Sequence, residues 1–429
     1  MSHLSYLETL LDGVEVEWKP LDDISVKISS GGTPKTGVAE FYDGDIPWLR
    51  TQEVNFDEIW DTGVKITEAG VDNSSAKWIP ANCVIVAMYG ATVGKIGINK
   101  IPMTTNQACA NIQLDGNIAN YRYVFHFLLS QYEYIKSLGS GSQTNINAGI
   151  VKKLLVPIPC PNNPEKSLEI QAEIVRVLDA FTAMTAELTA ELTAELNMRK
   201  KQYNYYRGQL LSFEEGDVEW KTLGDISDFT YGYAAKAQES GDARFVRITD
   251  INTNGKLSPA DHMYVDISEE NERYLLKKDD LLMARTGATF GKTMIFEEDY
   301  PAIYAGFLIK LSLDPNIVNP KYYWHFAQSD LFWDQANKLV SGGGQPQFNA
   351  NALKQVKLPV PYPSDTAKSL AEQARIVLIL DKFDAIASSL SEGLPREIEL
   401  RQKQYEYYRD LLLSFPASPT GGPKSDEAA

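Results

Sequence analysis

The sequence has few of the residues on which metal sites, disulfide frameworks and membrane spans depend. Its 429 residues include four histidines and three cysteines. An odd number of cysteines without metal-like spacing predicts no disulfide framework and a reducing compartment. No apolar run reaches the roughly 18 residues of a membrane span, and the polar first residues do not resemble a signal peptide. We therefore expect a cytoplasmic protein that contacts no membrane.

The short motifs of common active sites are also missing. The sequence has no GxSxG, HExxH, CxxC or glycine-rich dinucleotide motif. TGATFGKT has three residues, rather than four, between its first glycine and its Gly-Lys pair, which argues against a phosphate loop. His126 and His325 lie on apolar segments without metal-ligating neighbours, so we expect structural roles for both. We predict no catalytic residue and no metal site.

The charge balance is acidic. Against 41 lysines and arginines stand 57 aspartates and glutamates, which gives a formal net charge of -16. Neutralisation of phosphates by basic residues dominates the affinity of most nucleic-acid-binding proteins. This balance therefore counts against a chain that binds nucleic acid without help.

Most of the chain is present twice. VEWK at Val16–Lys19 returns 202 residues later at Val218–Lys221. RKKQYNYYRGQLLSF at Arg199–Phe213 returns at the same interval as RQKQYEYYRDLLLSF at Arg401–Phe415. The ends of each copy are nearly identical, whereas the middles diverge. The chain is therefore a duplicated unit of about 200 residues rather than a short-period repeat.

Each copy combines a β-rich part with a long helical part. We predict an α+β fold: two globular domains of mixed, β-rich structure, separated by two long antiparallel helices that form a coiled coil with internal pseudo-twofold symmetry. The predicted segments are an N-terminal segment at 1–13, a first domain at 14–162, a central helix at 163–213, a second domain at 214–364, a C-terminal helix at 365–415 and a disordered tail at 416–429.

The central helix contains TAELTAELTAEL, at Thr185–Leu196. Each four-residue unit lengthens a helix by about 6 Å and rotates it by about 40° beyond a full turn. The array is thus interpreted as a spacer of adjustable length, with Thr185, Leu188, Leu192 and Leu196 as its spacer residues. The second helix has Gly393 and Pro395 in the corresponding region, so we expect a break or kink there.

Polar side chains in the divergent middles are the candidates for ligand contact. Arginine, lysine, asparagine and glutamine form the paired hydrogen bonds that distinguish base edges. The alternative for any one of them is an ordinary solvated loop residue. The candidates are Lys35, Arg50, Thr92, Lys95, Asn106, Gln107, Gln143, Thr144, Asn145, Arg247, Arg285, Thr289, Lys292, Gln345, Gln347 and Asn349.

Taken together, these motifs closely resemble the specificity subunits of type I DNA restriction–modification systems, over about residues 1–416. The resemblance rests on the duplicated order of VEWK, the Gly-x-Gln loop, the IPxP segment and the QYxYYR helix endings, and extends to the subclass whose spacer helix carries TAEL repeats. It implies that each domain binds one half of a split DNA site. It also implies partners: double-stranded DNA, two modification subunits that methylate adenine, and restriction/translocase subunits. S-adenosylmethionine, ATP and Mg²⁺ would be used by those partners and not by this chain.

Two expectations follow from this resemblance. The acidic chain should bind DNA weakly alone, because partner subunits would supply phosphate contacts. The tyrosines at 203, 205, 206, 405, 407 and 408 should face partner subunits or pack in the helix seam. The rival interpretation is a scaffold whose twinned domains bind ligands other than DNA.

Overall fold

The computed structural model describes residues 13–139, 145–214, 216–342 and 345–415. It shows the α+β fold that the sequence predicts. The chain forms two compact units: unit 1 combines Met1–Leu188 with Glu397–Ala429, and unit 2 is Thr189–Arg396. Each unit therefore holds one β-rich domain and one stretch of each long helix. In the four described ranges, no helix is both long and apolar enough to cross a membrane.

The elements of the first half of the chain begin with a strand at Val16. The strands are β1 Val16–Pro20, β2 Ser25–Ser30, β3 Tyr42–Leu49, β4 Glu58–Ile59, β5 Lys65–Ile66, β6 Trp78–Ile79, β7 Val84–Ala87, β8 Ile96–Asn99, β9 Met103–Thr105, β10 Cys109–Leu114 and β11 Leu155–Pro159. The helices are α1 Glu68–Asp72, α2 Tyr121–Ser130, α3 Tyr132–Ser137, α4 Ala148–Lys152 and the long α5 Pro164–Leu210.

Three sheets make up the domain of unit 1. The central sheet has the order β2-β10-β7-β8-β4, the second has β5-β3-β9-β6, and β1 pairs with β11. Successive residues of β7 face opposite sides of the central sheet, as the strand period of two requires. Val84 and Val86 join the core on the helix side, whereas Ile85 and Ala87 join the core on the other side. This fully buried strand explains the unbroken apolar run VIVA.

The second half of the chain repeats this series. The strands are β12 Val218–Thr222, β13 Ser227–Tyr231, β14 Ala243–Val246, β15 Tyr264–Val265, β16 Leu281–Ala284, β17 Thr293–Ile295, β18 Ala302–Tyr304, β19 Leu308–Leu313 and β20 Lys357–Pro361. The helices are α6 Leu223–Ile226, α7 Pro320–Ala327, α8 Asp330–Leu339, α9 Ala350–Leu353 and the long α10 Thr366–Leu412.

The two domains share one topology. The order β13-β19-β16-β17 matches β2-β10-β7-β8, β15-β14-β18 matches β5-β3-β9, and β12 pairs with β20 as β1 pairs with β11. In both domains one strand pair of the second sheet is parallel, β3 with β9 and β14 with β18. The duplication seen in the sequence is therefore a duplication of the shared strand framework, to which unit 1 adds β4 and β6.

The long helices α5 and α10 each contain 47 residues. The expected break at Gly393 and Pro395 is wrong, because α10 continues through Pro395 without interruption. Packing explains why a local helix breaker is tolerated. Ile376, Leu380 and Leu412, on either side of the proline, are completely buried in the two units, so tertiary contacts hold both flanks helical.

Each domain is joined to its helices by a buried hydrogen-bonded triad, here called the clamp. In unit 1, His126 Nε2 lies 2.8 Å from Asp179 of α5, and its Nδ1 lies 3.0 Å from the hydroxyl of Tyr405 of α10. In unit 2, His325 contacts Asp381 of α10 at 2.8 Å and Tyr203 of α5 at 2.8 Å. Both histidines are buried and have the structural role expected for them.

The three tyrosines of each helix ending differ in their surroundings. Tyr206 stacks on Phe383 at 5.0 Å, and Tyr408 stacks on Phe181 at 4.7 Å. Tyr203 and Tyr405 belong to the clamps. Tyr205 and Tyr407 are respectively 63% and 57% exposed. In each helix ending, the first and third tyrosines therefore pack within the protein, and the middle tyrosine faces solvent.

The helix segments of unit 2 run antiparallel. Glu195 and Arg199 of α5 line one depression with residues 385–390 of α10. Farther along α5, Tyr206 meets the earlier residue Phe383. Residue numbers therefore rise along one segment as they fall along the other, as the sequence predicts.

Candidate nucleic-acid interface

In unit 1, three loops converge at one end of the central sheet. Met88 follows β7 and makes two backbone hydrogen bonds. Its carbonyl oxygen accepts from Ile146 N at 3.0 Å, and its N–H donates to Ala108 O at 2.8 Å. Asn145 accepts a weaker hydrogen bond from Gly90 N at 3.3 Å. These bonds join the loop after β7, the β9–β10 turn and the segment before α4 into one surface, here called loop face 1.

The glycine-rich segment after β2 adds a fourth strip to loop face 1. A Cβ on Gly31 would lie 1.8 Å from Thr105 O, so only glycine permits this close approach. Trp48 Nε1 holds the segment by donating to Gly32 O at 2.9 Å. Thr33 is thereby placed where its hydroxyl donates to the side-chain oxygen of Gln107. The result is an exposed Thr–Gln pair.

Unit 2 builds the equivalent loop face 2 with the same backbone pattern. Arg285 N donates to Phe307 O at 3.1 Å, and Phe348 N donates to Arg285 O at 2.8 Å. Gln347 pairs with Thr286 across an isolated antiparallel bridge. Loop face 2 therefore gathers Arg285, Thr286, Phe307 and Gln347.

The turns that resemble a phosphate loop are short 3-10 turns at Gly90–Thr92 and Gly287–Thr289. Thr289 donates to Thr286 O at 3.2 Å within its own turn. Lys95 Nζ donates to Asn55 at 2.7 Å and lies 5.4 Å from the ring centre of Phe56. Neither turn is followed by an α-helix. The backbone N–H groups of these turns therefore lack the helix N-terminus that binds phosphate in a phosphate loop.

Arg50 and Arg247 occupy equivalent positions, as the alignment of the two copies predicts. Each precedes a 3-10 turn and pairs with an acid three residues later: Arg50 with Glu53 at 3.2 Å, and Arg247 with Asp250 at 2.8 Å. The hydrogen bond with Asp250 is the main cause of the raised pKa of Arg247. Both guanidinium groups are therefore engaged within the protein, and a DNA contact would compete with these ion pairs.

The remaining candidates have simpler surroundings. Lys35 is exposed on the glycine-rich segment, and Asn106 accepts from Ala108 N at 3.1 Å within the β9–β10 turn. Asn349 accepts from Ala352 N at 3.0 Å as the N-cap of α9, so its carbonyl has a structural use. Lys292 is half-buried and Gln345 exposed, both next to loop face 2. Gln143 and Thr144 lie outside the described residues.

The sequence profile described as "Type I restriction modification DNA specificity domain" matches this chain twice, at 13–198 and at 215–400. The chain belongs to this specificity-domain family. The E. coli EcoR124I/EcoR124II specificity subunit is 38% identical over 434 residues, 98% of this chain and 99% of the relative. The E. coli EcoprrI specificity subunit is 35% identical, over 91% of this chain and 93% of the relative.

Solved structures show that the specificity family also shares the fold. A chain from a type I R-M system gives a TM-score of 0.67 at 15% identity, covering 93% of this chain and 97% of that one. The HsdS subunit of Thermoanaerobacter tengcongensis gives 0.53 at 14% identity, with coverage of 93% and 96%. At these identities the likeness supports the architecture alone. The double profile match agrees with the duplication described above.

Two exposed aromatic residues at loop face 2, Phe307 and the adjacent Tyr231, were not among the candidates for this specificity protein. Tyr231, at the end of β13, is 43% exposed, and Phe307, between β18 and β19, is 57% exposed. Their rings lie 5.2 Å and 5.5 Å from the guanidinium carbon of Arg285. Neither ring binds a base edge by paired hydrogen bonds, the property that distinguishes the polar candidates.

Proposed function

We propose that this specificity-family member binds a split DNA sequence, one half with each unit, and so directs its partner subunits to their target. The names of the E. coli relatives, both specificity subunits of type I restriction enzymes, support this assignment. So does coverage of nearly the full length of both.

The observation that carries the proposal is that one frame presents two different faces. The strand order, the clamp and the loop-joining hydrogen bonds recur in both units. Loop face 1 nevertheless presents Thr33, Gln107 and Asn145, whereas loop face 2 presents Arg285 and Phe307. Two domains of one fold with different polar surfaces are what two half-sites of different sequence require.

The length of the central helix sets the gap between the half-sites in this proposal. The TAEL array lies wholly within α5, and its Leu188, Leu192 and Leu196 are half-buried at spacings of four. A helix with such a stripe changes length by whole units without losing its packing pattern.

Catalysis is assigned to partners. Two modification subunits would transfer methyl groups from S-adenosylmethionine to adenine, and restriction/translocase subunits would use ATP and Mg²⁺. The chain itself would bind none of these cofactors and would act in the cytoplasm. The exposed Tyr205 and Tyr407 are candidate contacts for the modification subunits, because aromatic residues are enriched in protein interfaces.

Genome-wide mapping of methylated adenines tests the proposal. A strain that carries the gene should show methylation at one split motif, and deletion of the gene should remove it. Restoring the gene on a plasmid should restore the motif. An unchanged methylation map would refute the proposal and revive the twinned-domain scaffold, whose ligand would then be sought among proteins and glycans.

A further inference from the structure

The distinctive feature of loop face 2 is an arginine fixed between two aromatic rings. The guanidinium of Arg285 is flanked by Tyr231 and Phe307, and its Nε donates to Gly306 O at 3.1 Å. Tyr231 is itself held, because its hydroxyl accepts from Ala350 N at 3.1 Å. Three contacts from two segments, the end of β13 and the turn at Gly306 and Phe307, thus restrict where the guanidinium plane lies.

The charge of Arg285 has no acidic partner in the described ranges of the chain. Arg50 and Arg247, by contrast, each pair with an acid. Within the same ranges, no acceptor contacts the two terminal nitrogens of Arg285. In a protein with a net charge of -16, an arginine that is fixed but not neutralised is available for an acceptor outside the chain.

Loop face 1 lacks all three groups. The backbone hydrogen bonds place Met88 where unit 2 has Arg285, and Ala108 where it has Phe307. The strand registers place Ser30 opposite Ala110, as Tyr231 lies opposite Ile309. Met88 is 2% exposed. The arginine and both rings are therefore present together in one unit and absent together in the other, as expected for parts of one contact.

We propose that Arg285 recognises a guanine in the half-site bound by unit 2. The two terminal nitrogens of an arginine match O6 and N7 of guanine, both acceptors on the major-groove edge. Phosphate also accepts two hydrogen bonds from arginine, but a phosphate is strongly hydrated, and the exposed rings of Tyr231 and Phe307 would displace that water. Base edges and thymine methyl groups are compatible with apolar neighbours. The inference rests on the proposed function, since it names the base that one unit binds.

The test uses the protein purified with its partner subunits and duplexes that contain the split motif. Guanines are replaced one at a time by 7-deazaguanine, which lacks the N7 acceptor. At one guanine of one half-site, the wild-type complex should lose roughly tenfold to a hundredfold in affinity, the range of a bidentate base contact. The Arg285→Met complex should lose a similar factor in affinity for the natural duplex. 7-Deazaguanine at that one position should then cause no further loss, whereas the other positions should respond as in the wild type.

Lys292→Met is the matched control. Lys292 lies in the same loop as Arg285 and is a candidate for contact with a phosphate. Lys292→Met should therefore weaken binding to every duplex equally and reduce the salt dependence of binding. Arg285→Met introduces the side chain that Met88 has at the equivalent position of unit 1. If Arg285→Met proves unstable, Arg285→Lys keeps the charge and should still lose discrimination at the same guanine.

Three results would overturn the inference. A motif without a G·C pair in either half would exclude it at once. So would an Arg285→Met complex that keeps the wild-type response to every 7-deazaguanine. A uniform loss on all duplexes with an intact response would assign Arg285 to phosphate. If the proposed function itself were wrong, the result would be different: deleting the gene would remove no methylated motif from the genome.

Discussion

At the residue scale, the clamp of unit 2 places a neutral imidazole, that of His325, between a carboxylate and a phenol. Burial acts to raise the pKa of Asp381, but hydrogen bonds from His325 and Lys321 outweigh it, and the net pKa is lowered. Burial lowers the pKa of His325 despite Asp381. Burial also raises the pKa of Tyr203, the tyrosine of this clamp, so its hydroxyl stays protonated. The imidazole therefore donates through Nε2 to the aspartate and accepts through Nδ1 from the tyrosine.

Removing one clamp hydroxyl should destabilise the protein measurably. In Tyr405→Phe, Nδ1 of His126 loses its donor while staying buried, so the free energy of unfolding should fall by about 1–2 kcal/mol. Denaturant titration measures this. Tyr407→Phe, on the exposed neighbour, is the control and should change nothing. Equal stabilities for the two variants would show that the clamp hydroxyl contributes no stability.

The lowered pKa of His325 also predicts a direction for the pH dependence of stability. The unfolded histidine titrates near 6.5, above the folded one, so the unfolded state binds more protons between the two pKa values. The stabilisation is complete above pH 6.5 and is lost as the pH falls through the folded pKa. The melting temperature should therefore fall from about pH 8 to about pH 5, and less steeply in His325→Gln. Equal slopes of melting temperature against pH for the wild type and His325→Gln would contradict this prediction.

At the element scale, the two 47-residue helices tolerate sequences that would not form helices of this length alone. The hydrophobic stripe of the first helix predicted lengthwise helix packing, and the pseudo-twofold symmetry of the duplication predicted the antiparallel pairing. The predicted break at Pro395 was wrong, because the burial of Ile376, Leu380 and Leu412 farther along the same helix outweighs a local penalty of about 3 kcal/mol.

Replacing that proline should stabilise the chain. Pro395→Ala restores a backbone donor and removes a clash in the helix interior, so the free energy of unfolding should rise by up to about 3 kcal/mol. Gly393→Ala, two residues away in the same helix, should gain only about 1 kcal/mol. Calorimetry on both variants measures the difference. A destabilised Pro395→Ala would mean that the helix is bent at Pro395 and that the fold depends on this bend.

The TAEL array predicts a change in DNA spacing. Deleting Thr189–Leu192 removes about 6 Å and about 40° of rotation, close to the roughly 34–36° twist of one base pair. Methylation mapping should show both half-sites unchanged and a gap shorter by about one base pair. Replacing the same four residues by alanines keeps the length and should keep the gap. A changed half-site with an unchanged gap would exclude the spacer role.

At the scale of the whole molecule, the acidic charge limits what the chain does alone. With a net charge of -16, isolated protein should bind DNA weakly, with strong salt dependence and little sequence preference. Addition of modification subunits should produce specific binding. Fluorescence anisotropy over a salt series measures both. Tight, sequence-specific binding by the isolated chain would contradict the prediction.

The sequence was informative wherever the two copies could be compared. It predicted the duplication, the α+β fold and the equivalence of Arg50 and Arg247. It did not reveal that both arginines pair with nearby acids, since those contacts depend on the conformation of a turn. Nor did it reveal the support of Arg285, because Tyr231, at the end of β13, and Phe307, between β18 and β19, meet it only after the sheet forms.

The exchange of tyrosines between the two halves has an evolutionary meaning. A single copy of the duplicated segment carries a histidine, an aspartate and a tyrosine, yet in this chain each copy's tyrosine completes the clamp of the other copy. Two separate copies would form the same contacts by swapping their helix ends. The pattern points to an ancestral homodimer with two identical half-sites, whose genes fused before the loop faces diverged.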